Sequence, residues 1–328
     1  MQLKLLDILA CPQCGADLDC VPTQMQDEQE VAAGSLECQT CGNLYPMQSF
    51  IPRFVPAANY ADSFGFQWNK FKFEQIDAFA TEKLSAARFY AETAWTKEAL
   101  DGKWVLEMGC GAGRFLDIAA RGSAQVVGMD ISNAVDACRV TMAGRKNIHL
   151  VQASVYALPF KPGVFDAVYS IGVIQHTPFP AKAIKALPSL LKANGKVALT
   201  VYEKKPWTRL NMKYLIRPLT KRLNKKLLLF LIKAIMPFFY PLTAVLFRLP
   251  RLGSFFKFVI PVADYPRAPG LSLKQRYRCV ILDTFDMLAP EFDYPQTQKE
   301  VEAALSKAGV VNIKRLEIKG LSIVGQKK

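Results

Sequence analysis

The sequence predicts an α/β protein built on a mostly parallel sheet, with a small cysteine-rich domain in front and a helical insertion before the last strands. Short β-branched segments alternate with helical stretches between residues 101 and 203, which is typical of parallel strands covered by helices. Two C-x2-C pairs fall within the first 41 residues. A basic, apolar segment over 204–275 then precedes a final strand–helix–strand pattern.

These patterns divide the 328-residue chain into parts. We expect a small cysteine domain over 1–55, lead-in helices over 56–100, a core over 101–203 and 276–328, and the insertion over 204–275. A hydrophobic content of 51% with 21% charged residues suits a globular protein. The first residues lack the long apolar run of a secretory signal, so we expect a cytoplasmic protein.

The N-terminal cysteines have the spacing of a metal site. Cys11 and Cys14 form one pair and Cys38 and Cys41 the other, and a glycine directly follows each pair. Four thiolates on two tight turns match tetrahedral zinc. A redox C-x-x-C is the alternative, but no βαβ unit surrounds these pairs. Cys20 is expected to be a bystander.

The same region resembles the small zinc-ribbon proteins that activate methyltransferases. The resemblance rests on Leu5-Leu6-Asp7-Ile8-Leu9-Ala10-Cys11-Pro12, on Leu44-Tyr45-Pro46 and on Ile51-Pro52. It implies a structural or partner-docking role. A closed four-cysteine site has no open coordination position for catalysis.

Strands of the core follow from the apolar runs. The β-branched runs predict strands over 103–108, 125–129, 147–151, 165–170 and 196–202. A helix is expected over 181–192. After the insertion, strands over 280–285 and 313–324 flank a helix over 298–308. That helix opens with a capping box of Thr297 and Glu300 and stops at Gly309.

A glycine-rich turn joins the first core strand to its helix. Gly109, Gly111 and Gly113 follow the strand, and Glu107 lies two residues before the first glycine. Nicotinamide enzymes use G-x-G-x-x-G, whose third glycine would fall on Arg114. The G-x-G-x-G spacing with its acid resembles the first motif of class I S-adenosylmethionine-dependent methyltransferases, which have a Rossmann-like sheet of seven strands. In that family the acid lies near the amino-acid end of the cofactor.

Three later segments extend this resemblance in the same order. Asp130 ends the second strand, where an acid binds ribose hydroxyls, although it could instead cap the next helix. Ser154 stands where the family usually has an acid near the adenine, so backbone from Val155 is an alternative contact. The fourth strand continues through Ile171 to His176, as in methyltransferases of quinone biosynthesis. The resemblance thus implies cofactor contacts from Glu107, Gly109, Cys110, Gly111, Gly113, Asp130, Ile131, Ser154, Val155 and Ile171.

His176 is the candidate catalytic residue. It lies just past the fourth strand, where acceptor substrates enter this fold, and an oxygen or nitrogen acceptor can need a base. The alternative is a residue that only lines the pocket. The aromatic lead-in with Tyr60, Phe64, Gln67 and Trp68 resembles that of related enzymes and either folds over the cofactor or packs on the sheet.

The insertion is strongly basic. Residues 204–261 hold 13 Lys and Arg without any Asp or Glu, within a chain of net charge +14. Residues 227–247 are long enough to span a bilayer, but Pro237 and Pro241 are expected to break the helix. We expect two or three amphipathic helices forming a substrate lid, with the basic groups outward. Such helices suit anionic lipid, and RNA phosphate is a weaker alternative.

The predicted function is therefore transfer of a methyl group from S-adenosylmethionine, with zinc as a second ligand. The expected acceptor is a small or lipid-linked molecule, with an O-acceptor of glycan or glycolipid metabolism as one candidate. RNA methylation and a catalytically silent partner that docks through its zinc ribbon stay as alternatives. The basic insertion predicts peripheral contact with the inner face of a membrane.

Overall fold

The structure is a computed structural model that describes residues 1–56, 58–79, 83–264 and 271–328. Residues 57 and 80–82 of the expected lead-in region lie outside the described residues. The same holds for residues 265–270 of the expected insertion.

The N-terminal part is a small antiparallel sheet. A single 3-10 helix, Leu3–Ile8, precedes the strands β1 (Asp19–Asp27), β2 (Glu30–Glu37), β3 (Leu44–Gln48) and β4 (Ile51–Pro52), which pair in that order. This sheet packs directly on the core of the chain, since Leu9 and Phe160 form a β-bridge and both are buried. The N-terminal part and the core therefore share one apolar cluster.

Seven further strands form the main sheet: β5 (Trp104–Met108), β6 (Gln125–Asp130), β7 (Ile148–Gln152), β8 (Phe165–Ile171), β9 (Leu191–Val201), β10 (Val310–Arg315) and β11 (Leu321–Lys327). Their order is β10-β11-β9-β8-β5-β6-β7. Strands β5 to β9 are parallel, whereas β11 runs antiparallel to β9 and to β10. The five predicted core strands are confirmed, and the single strand predicted over 313–324 is a hairpin.

This order fixes where a ligand can bind. The chain leaves β5 toward β6 on one side, and β8 lies on the other side of β5. Connections diverge at such a switch point, so a crevice opens beyond the carboxyl ends of β5 and β8. The fold is the expected Rossmann-like sheet with the insertion before its last strands.

The helices along the chain are α1 (Asp62–Lys70), α2 (Leu84–Thr93), α3 (Leu116–Ala119), α4 (Ala134–Thr141), α5 (Pro180–Ala186), α6 (Met212–Thr220), α7 (Lys225–Leu246), α8 (Gly253–Val259), α9 (Leu273–Leu288) and α10 (Gln298–Lys307). The capping box of Thr297 and Glu300 is confirmed at the start of α10. Helix α5 is shorter than the helix predicted over 181–192, because a 3-10 helix, Leu187–Leu190, follows it and β9 begins at Leu191.

The strand predicted over 280–285 is wrong, because this segment belongs to α9. Ser272 and Gln275 form a capping box at the start of that helix. Val280, Ile281 and Phe285 are buried in a cluster with α7. The β-branched pair suggested a strand, but the helix start and the tertiary packing override that weak propensity.

Helix α7 corrects a second expectation. It runs without a break for 22 residues with Pro237 and Pro241 inside it. One face, with Leu228, Ile232 and Met236, packs into the cluster with α9. A proline removes one backbone hydrogen bond and favours a kink, and packing along the whole face offsets that cost here.

The opposite face of α7 is apolar and exposed to solvent. The large apolar side chains on it are Leu227, Phe230, Leu231, Ile235, Phe238, Leu242 and Val245, and Phe238 is 78% exposed. Among the described helices, α7 alone is long and apolar enough, by length and composition, to cross a membrane. We call these seven residues the apolar face of α7.

The basic groups of the insertion are not all outward, contrary to expectation. Arg217 is 6% exposed and donates to the carbonyls of Met287 and Pro290, both over 2.8 Å. Lys225 donates to the carbonyl of Ala289. These contacts satisfy carbonyl groups at and beyond the end of α9, where cations are favourable.

Candidate active site

A cavity of about 490 Å³ opens beyond the carboxyl ends of β5, β6 and β8. It is the expected location for a ligand in this topology. Nine of the residues predicted from sequence border it: Glu107, Gly109, Cys110, Gly111, Asp130, Ile131, Val155, Ile171 and His176. Gly113 and Ser154 do not.

The glycine turn is fixed by close packing against the protein itself. Gly109, Gly111 and Gly113 all have positive φ. A Cβ on Gly109 would lie 2.3 Å from Val173, and one on Gly113 would lie 2.9 Å from the Cys138 sulfur. A Cβ on Gly111 would meet the Trp68 indole at 3.0 Å. The glycines are therefore required by backbone conformation and by neighbouring side chains.

Glu107 is a buried acid at the base of the cavity. It is 3% exposed and accepts a hydrogen bond from the Tyr169 hydroxyl over 3.0 Å. Burial raises the pKa of this carboxyl well above its usual range, and the nearby Asp130 adds to the rise. A cation that entered here would favour the ionised form and would reverse that shift.

Asp130 orients the loop that follows β6. Its Oδ2 accepts from the Gly111 N–H over 3.0 Å, and its Oδ1 accepts from the N–H and Oγ of Ser132. It does not cap α4, whose N-cap is Asn133. A carboxylate has about four acceptor positions, so capacity is left for a hydroxyl donor in the cavity. Burial raises the pKa of Asp130.

Ser154, which was considered as an adenine contact, does not border the cavity. The Ser154 hydroxyl accepts from the Tyr156 N–H over 3.2 Å within its own turn. Its neighbours Ala153 and Val155 border the cavity instead, together with Ile131. These apolar groups suit contact with a flat, apolar ring.

Helix α1 covers the cavity from the lead-in region. Tyr60, Phe64, Gln67 and Trp68 all border the cavity. Gln67 is buried and its Nε2 donates to Oδ1 of Asp286 in α9 over 3.2 Å. The lead-in aromatics therefore take part in the cavity wall.

His176 borders the cavity and has a defined ring orientation. Its Nδ1 lies 3.0 Å from the carbonyl oxygen of Phe292. A carbonyl only accepts, so Nδ1 carries the hydrogen and the neutral ring keeps a lone pair on Nε2. Nε2 is buried and has no partner among the described residues. The rings of Phe64 and Tyr202 pack against the imidazole, with centroids 5.1 and 5.4 Å away.

Several residues that border the cavity were not predicted by any sequence pattern. Arg88 of α2 lies next to Gly172 at the end of β8, and its guanidinium packs over Phe115 at 5.3 Å. Asp283 and Asp286 of α9 border the cavity from the insertion side. Only the packing of α2 against the sheet, and of α9 against α1, α6 and α7, brings these charges to the site.

The four N-terminal thiols form a cluster apart from the cavity. The sulfur atoms of Cys11, Cys14, Cys38 and Cys41 all lie within 4.8 Å of one another. The Cys11–Cys41 and Cys14–Cys38 distances are 3.6 and 3.4 Å. Zinc–sulfur bonds of 2.3 Å in a tetrahedron place sulfurs about 3.8 Å apart. The donor set and spacing therefore fit one zinc ion.

Comparison with known proteins gives two family matches. Residues 106–199 match a methyltransferase domain, and residues 2–48 match Trm112p-like protein. A ubiquinone biosynthesis O-methyltransferase of Albidiferax ferrireducens is 35% identical over 111 residues, which are 32% of this chain and 43% of that protein. The protein of the same name from Nitrosococcus oceani is 32% identical over 111 residues, which are 33% and 47% of the two chains.

The matched segment thus spans less than half of each of these relatives. Among solved structures, a methyltransferase from Methanosarcina mazei aligns with a TM-score of 0.39 and 18% identity, over 70% of this chain and 93% of that one. The similarity to methyltransferases rests on the strand order and on the family matches, and not on that structural alignment. Residues 106–199 are therefore similar to a methyltransferase domain, and a segment similar to Trm112p-like protein over 2–48 precedes them in the same chain.

Proposed function

We propose that this protein transfers the methyl group of S-adenosylmethionine to a hydroxyl oxygen of a small or lipid-linked acceptor. The observation that carries the proposal is one cavity that is bordered by the glycine turn, Glu107 and Asp130 and also by His176. The sulfonium of the donor supplies the electrophilic methyl group. The chain has to bind the donor, orient the acceptor and exclude water.

The donor contacts follow from the charges around the cavity. Asp130 accepts hydrogen bonds from ribose hydroxyls, and the adenine contacts Ile131, Ala153 and Val155. Glu107 favours the ammonium group of the amino-acid end. Arg88 provides a cation for the carboxylate of the same end, beside Gly172 and Ile171.

His176 then acts as the base. Its Nε2 has a free lone pair, and the Phe292 carbonyl holds the tautomer. The names of both relatives specify O-methylation, which supports an oxygen acceptor. The comparisons give no support to the glycan or glycolipid acceptor considered from sequence.

We further propose that residues 1–55 form a zinc ribbon with a structural role. The ion is held by Cys11, Cys14, Cys38 and Cys41, and the ribbon packs on the core through Leu9 and Phe160. In this division residues 56–100 cover the donor, residues 101–203 and 276–328 form the core, and the insertion over 204–275 covers the acceptor.

We also propose that the apolar face of α7 rests on an anionic membrane surface. Six exposed cations of the insertion have no ion pair with a described residue: Lys205, Arg209, Arg222, Lys226, Lys233 and Arg251. RNA phosphate would attract such charges but gives no reason for exposed Phe230 and Phe238 among them. Apolar side chains with flanking cations are typical of helices that lie in a lipid interface.

Calorimetry with S-adenosylhomocysteine tests the donor site. The wild-type chain should bind it, and Asp130→Ala should weaken binding by about 1–3 kcal/mol, since hydrogen bonds to a charged group are lost. Asp19→Ala, an exposed acid of β1, is the control and should bind normally. Binding of NAD in preference to the methyl donor would reject the proposal. A second experiment offers labelled donor together with lipid, small-molecule and RNA fractions. Transfer of label to any fraction shows an enzyme rather than a silent partner, and the fraction that is labelled shows the class of acceptor.

A further inference from the structure

The backbone segment that orients His176 is itself held by the insertion. The Phe292 carbonyl, 3.0 Å from Nδ1 of His176, belongs to the short segment that follows α9. This segment is tied to the chain beside the cavity, since the Tyr294 N–H donates to the Gln175 carbonyl over 2.7 Å. Asp293, the residue between these two contacts, bonds instead to α6 of the insertion.

Two neighbouring side chains of α6 fix Asp293. The side chain of Asp293 is 1% exposed. Its Oδ2 accepts from Nζ of Lys213 over 3.0 Å, and its Oδ1 accepts from the Tyr214 hydroxyl over 3.3 Å. Both carboxylate oxygens are therefore bonded, and the carboxylate has one defined position on α6.

Anchoring Asp293 restricts the Phe292 carbonyl. A peptide unit is planar, and the unit that contains this carbonyl also contains the Cα of Asp293. When the Asp293 side chain is fixed on α6, that unit loses much of its freedom to rotate. The direction of the hydrogen bond to His176 therefore depends on contacts that are made in the insertion.

Lys213 also contacts the second support of the imidazole. Its Nζ lies 4.9 Å from the centre of the Tyr202 ring, and that ring packs edge-on to His176 at 5.4 Å. A cation over an aromatic face is attractive, which favours this placement of the ring. Lys213 thus reaches the imidazole along two routes, one through the carboxylate and one through the aromatic ring.

The burial of this ion pair needs a reason. The side chain of Lys213 is only 14% exposed. Apolar packing in place of a buried ion pair is often neutral or stabilising, so the pair is weak evidence for stability. Apolar packing would not, however, give the Asp293 carboxylate a fixed direction. The ion pair is therefore better explained by what it orients.

We propose, on the basis of the base role proposed above, that Lys213 is a positioning residue for His176. Through Asp293 it keeps the Phe292 carbonyl in line with Nδ1, so the hydrogen stays on Nδ1 and Nε2 keeps its lone pair. In the transfer step the acceptor oxygen bonds to the methyl carbon as the carbon–sulfur bond breaks. The electron pair of that bond stays on sulfur, and the hydroxyl proton passes to Nε2. The insertion thus supports the base as well as covering the acceptor.

The tautomer of His176 tests the proposal. The chain has two histidines, so NMR of the full-length protein with isotope-labelled histidine gives two pairs of ring signals, and His149→Gln identifies those of His176. At about pH 8, at which an ordinary imidazole is neutral, the nitrogen that carries the hydrogen and the one that does not have well-separated shifts. The wild type should hold the hydrogen on Nδ1. Lys213→Met should shift the tautomer ratio about threefold to tenfold toward hydrogen on Nε2, as expected when one neutral hydrogen bond is weakened.

Two further variants separate positioning from folding. Lys213→Met combined with Asp293→Ala leaves no buried charge unpaired and should shift the ratio in the same direction. Lys192→Met breaks the ion pair with Asp166 over 2.9 Å, away from the cavity, and should leave the ratio unchanged. Binding of S-adenosylhomocysteine checks the folding of each variant.

Three results would overturn the positioning role. They are hydrogen on Nε2 in the wild type, a wild-type ratio in both Lys213 variants, and an equal shift in Lys192→Met. Failure of the wild-type chain to bind S-adenosylhomocysteine overturns the proposed function instead, and it leaves the measured tautomer unaffected.

Discussion

Arg53 donates a hydrogen bond from Nη1 to Oε1 of Gln152 over 2.6 Å and so joins the N-terminal part to the edge strand β7. Gln152 in turn donates from Nε2 to the Ile131 carbonyl over 3.1 Å and to Oδ1 of Asn133 over 3.0 Å. Ile131 borders the cavity. The loop at the proposed ribose site is thus held from the N-terminal part of the chain.

Arg53→Ala should weaken binding of S-adenosylhomocysteine several-fold, because Gln152 would lose the partner that holds the Ile131–Asn133 loop in place. The change should also lower the free energy of unfolding by about 1–3 kcal/mol, because it leaves buried polar groups unpaired. Arg139→Ala is the matched control, since Arg139 packs over Phe50 at 4.0 Å and pairs with Glu30 over 3.9 Å at the same interface. Equal ligand affinity in the wild type and Arg53→Ala would contradict this coupling.

Cys38→Ser should abolish binding of one zinc ion per chain and loosen residues 1–55, because a three-thiolate site holds zinc poorly and its binding energy is folding energy. Elemental analysis measures the metal, and hydrogen exchange measures the loosening. Cys20→Ser should keep its zinc, since Cys20 lies outside the four-thiol cluster. Full zinc content in Cys38→Ser would show that the cluster is not a zinc site.

The affinity for S-adenosylhomocysteine should rise with pH. Burial raises the pKa of Glu107, so the free protein keeps a proton there to higher pH than an exposed carboxyl would, and the ligand's ammonium group displaces that proton. Binding therefore releases protons below that pKa, and the gain ends once pH exceeds it. Calorimetry in buffers of different ionisation enthalpy measures the released protons.

Two variants separate Glu107 from other groups. Glu107→Gln should remove most of the pH dependence. Tyr169→Phe should move the dependence to higher pH, because the Tyr169 hydroxyl donates to Glu107 and favours its ionised form. A pH profile that Glu107→Gln leaves intact would exclude this acid as the partner of the ammonium group.

His176→Gln should lower the rate of methyl transfer to an accepted hydroxyl by about 100-fold to 10,000-fold, as expected for loss of a general base. Affinity for S-adenosylhomocysteine should stay close to that of the wild type, since His176 is not among the proposed donor contacts. Single-turnover transfer and calorimetry give the two readouts. His149→Gln, at a histidine of β7 that does not border the cavity, is the control and should keep the wild-type rate. A rate in His176→Gln close to that of the wild type would rule out the base role.

The protein should bind vesicles of anionic phosphatidylglycerol and ignore neutral phosphatidylcholine, with binding that weakens as salt rises. Each basic residue near the surface contributes about 1 kcal/mol. Replacing Arg222, Lys226, Lys233 and Arg251 with Gln, or Phe230 and Phe238 with Ser, should therefore reduce co-sedimentation without changing S-adenosylhomocysteine affinity.

A second charge set is the control for the membrane test. Lys221 pairs with Glu291 over 2.9 Å and Lys225 donates to the Ala289 carbonyl. Changing these two to Gln should lower the melting temperature. It should reduce vesicle binding less than the changes at Arg222, Lys226, Lys233 and Arg251 do. Equal binding to neutral and anionic vesicles would argue that the apolar face of α7 serves another purpose.

The sequence by itself determined the parts whose evidence is local. Residue spacing along the chain identified the four cysteines, the glycine turn, Asp130 and the capping box at Thr297, because turns and caps depend on a few neighbouring residues. The five core strands followed from continuous β-branched runs, which are typical of strands buried on both faces.

Only the tertiary structure decided the rest. The β-branched pair Val280–Ile281 lies in a helix because α9 buries one face against α7, and α7 continues through Pro237 because that same packing offsets the lost hydrogen bond. Arg53, Arg88 and Asp286 come from segments far apart in sequence and reach the donor loop or the cavity through packing alone. The end of α9 likewise decided which of the 13 basic residues face outward. Carbonyl groups there accept hydrogen bonds from Arg217 and Lys225, so these two side chains turn inward.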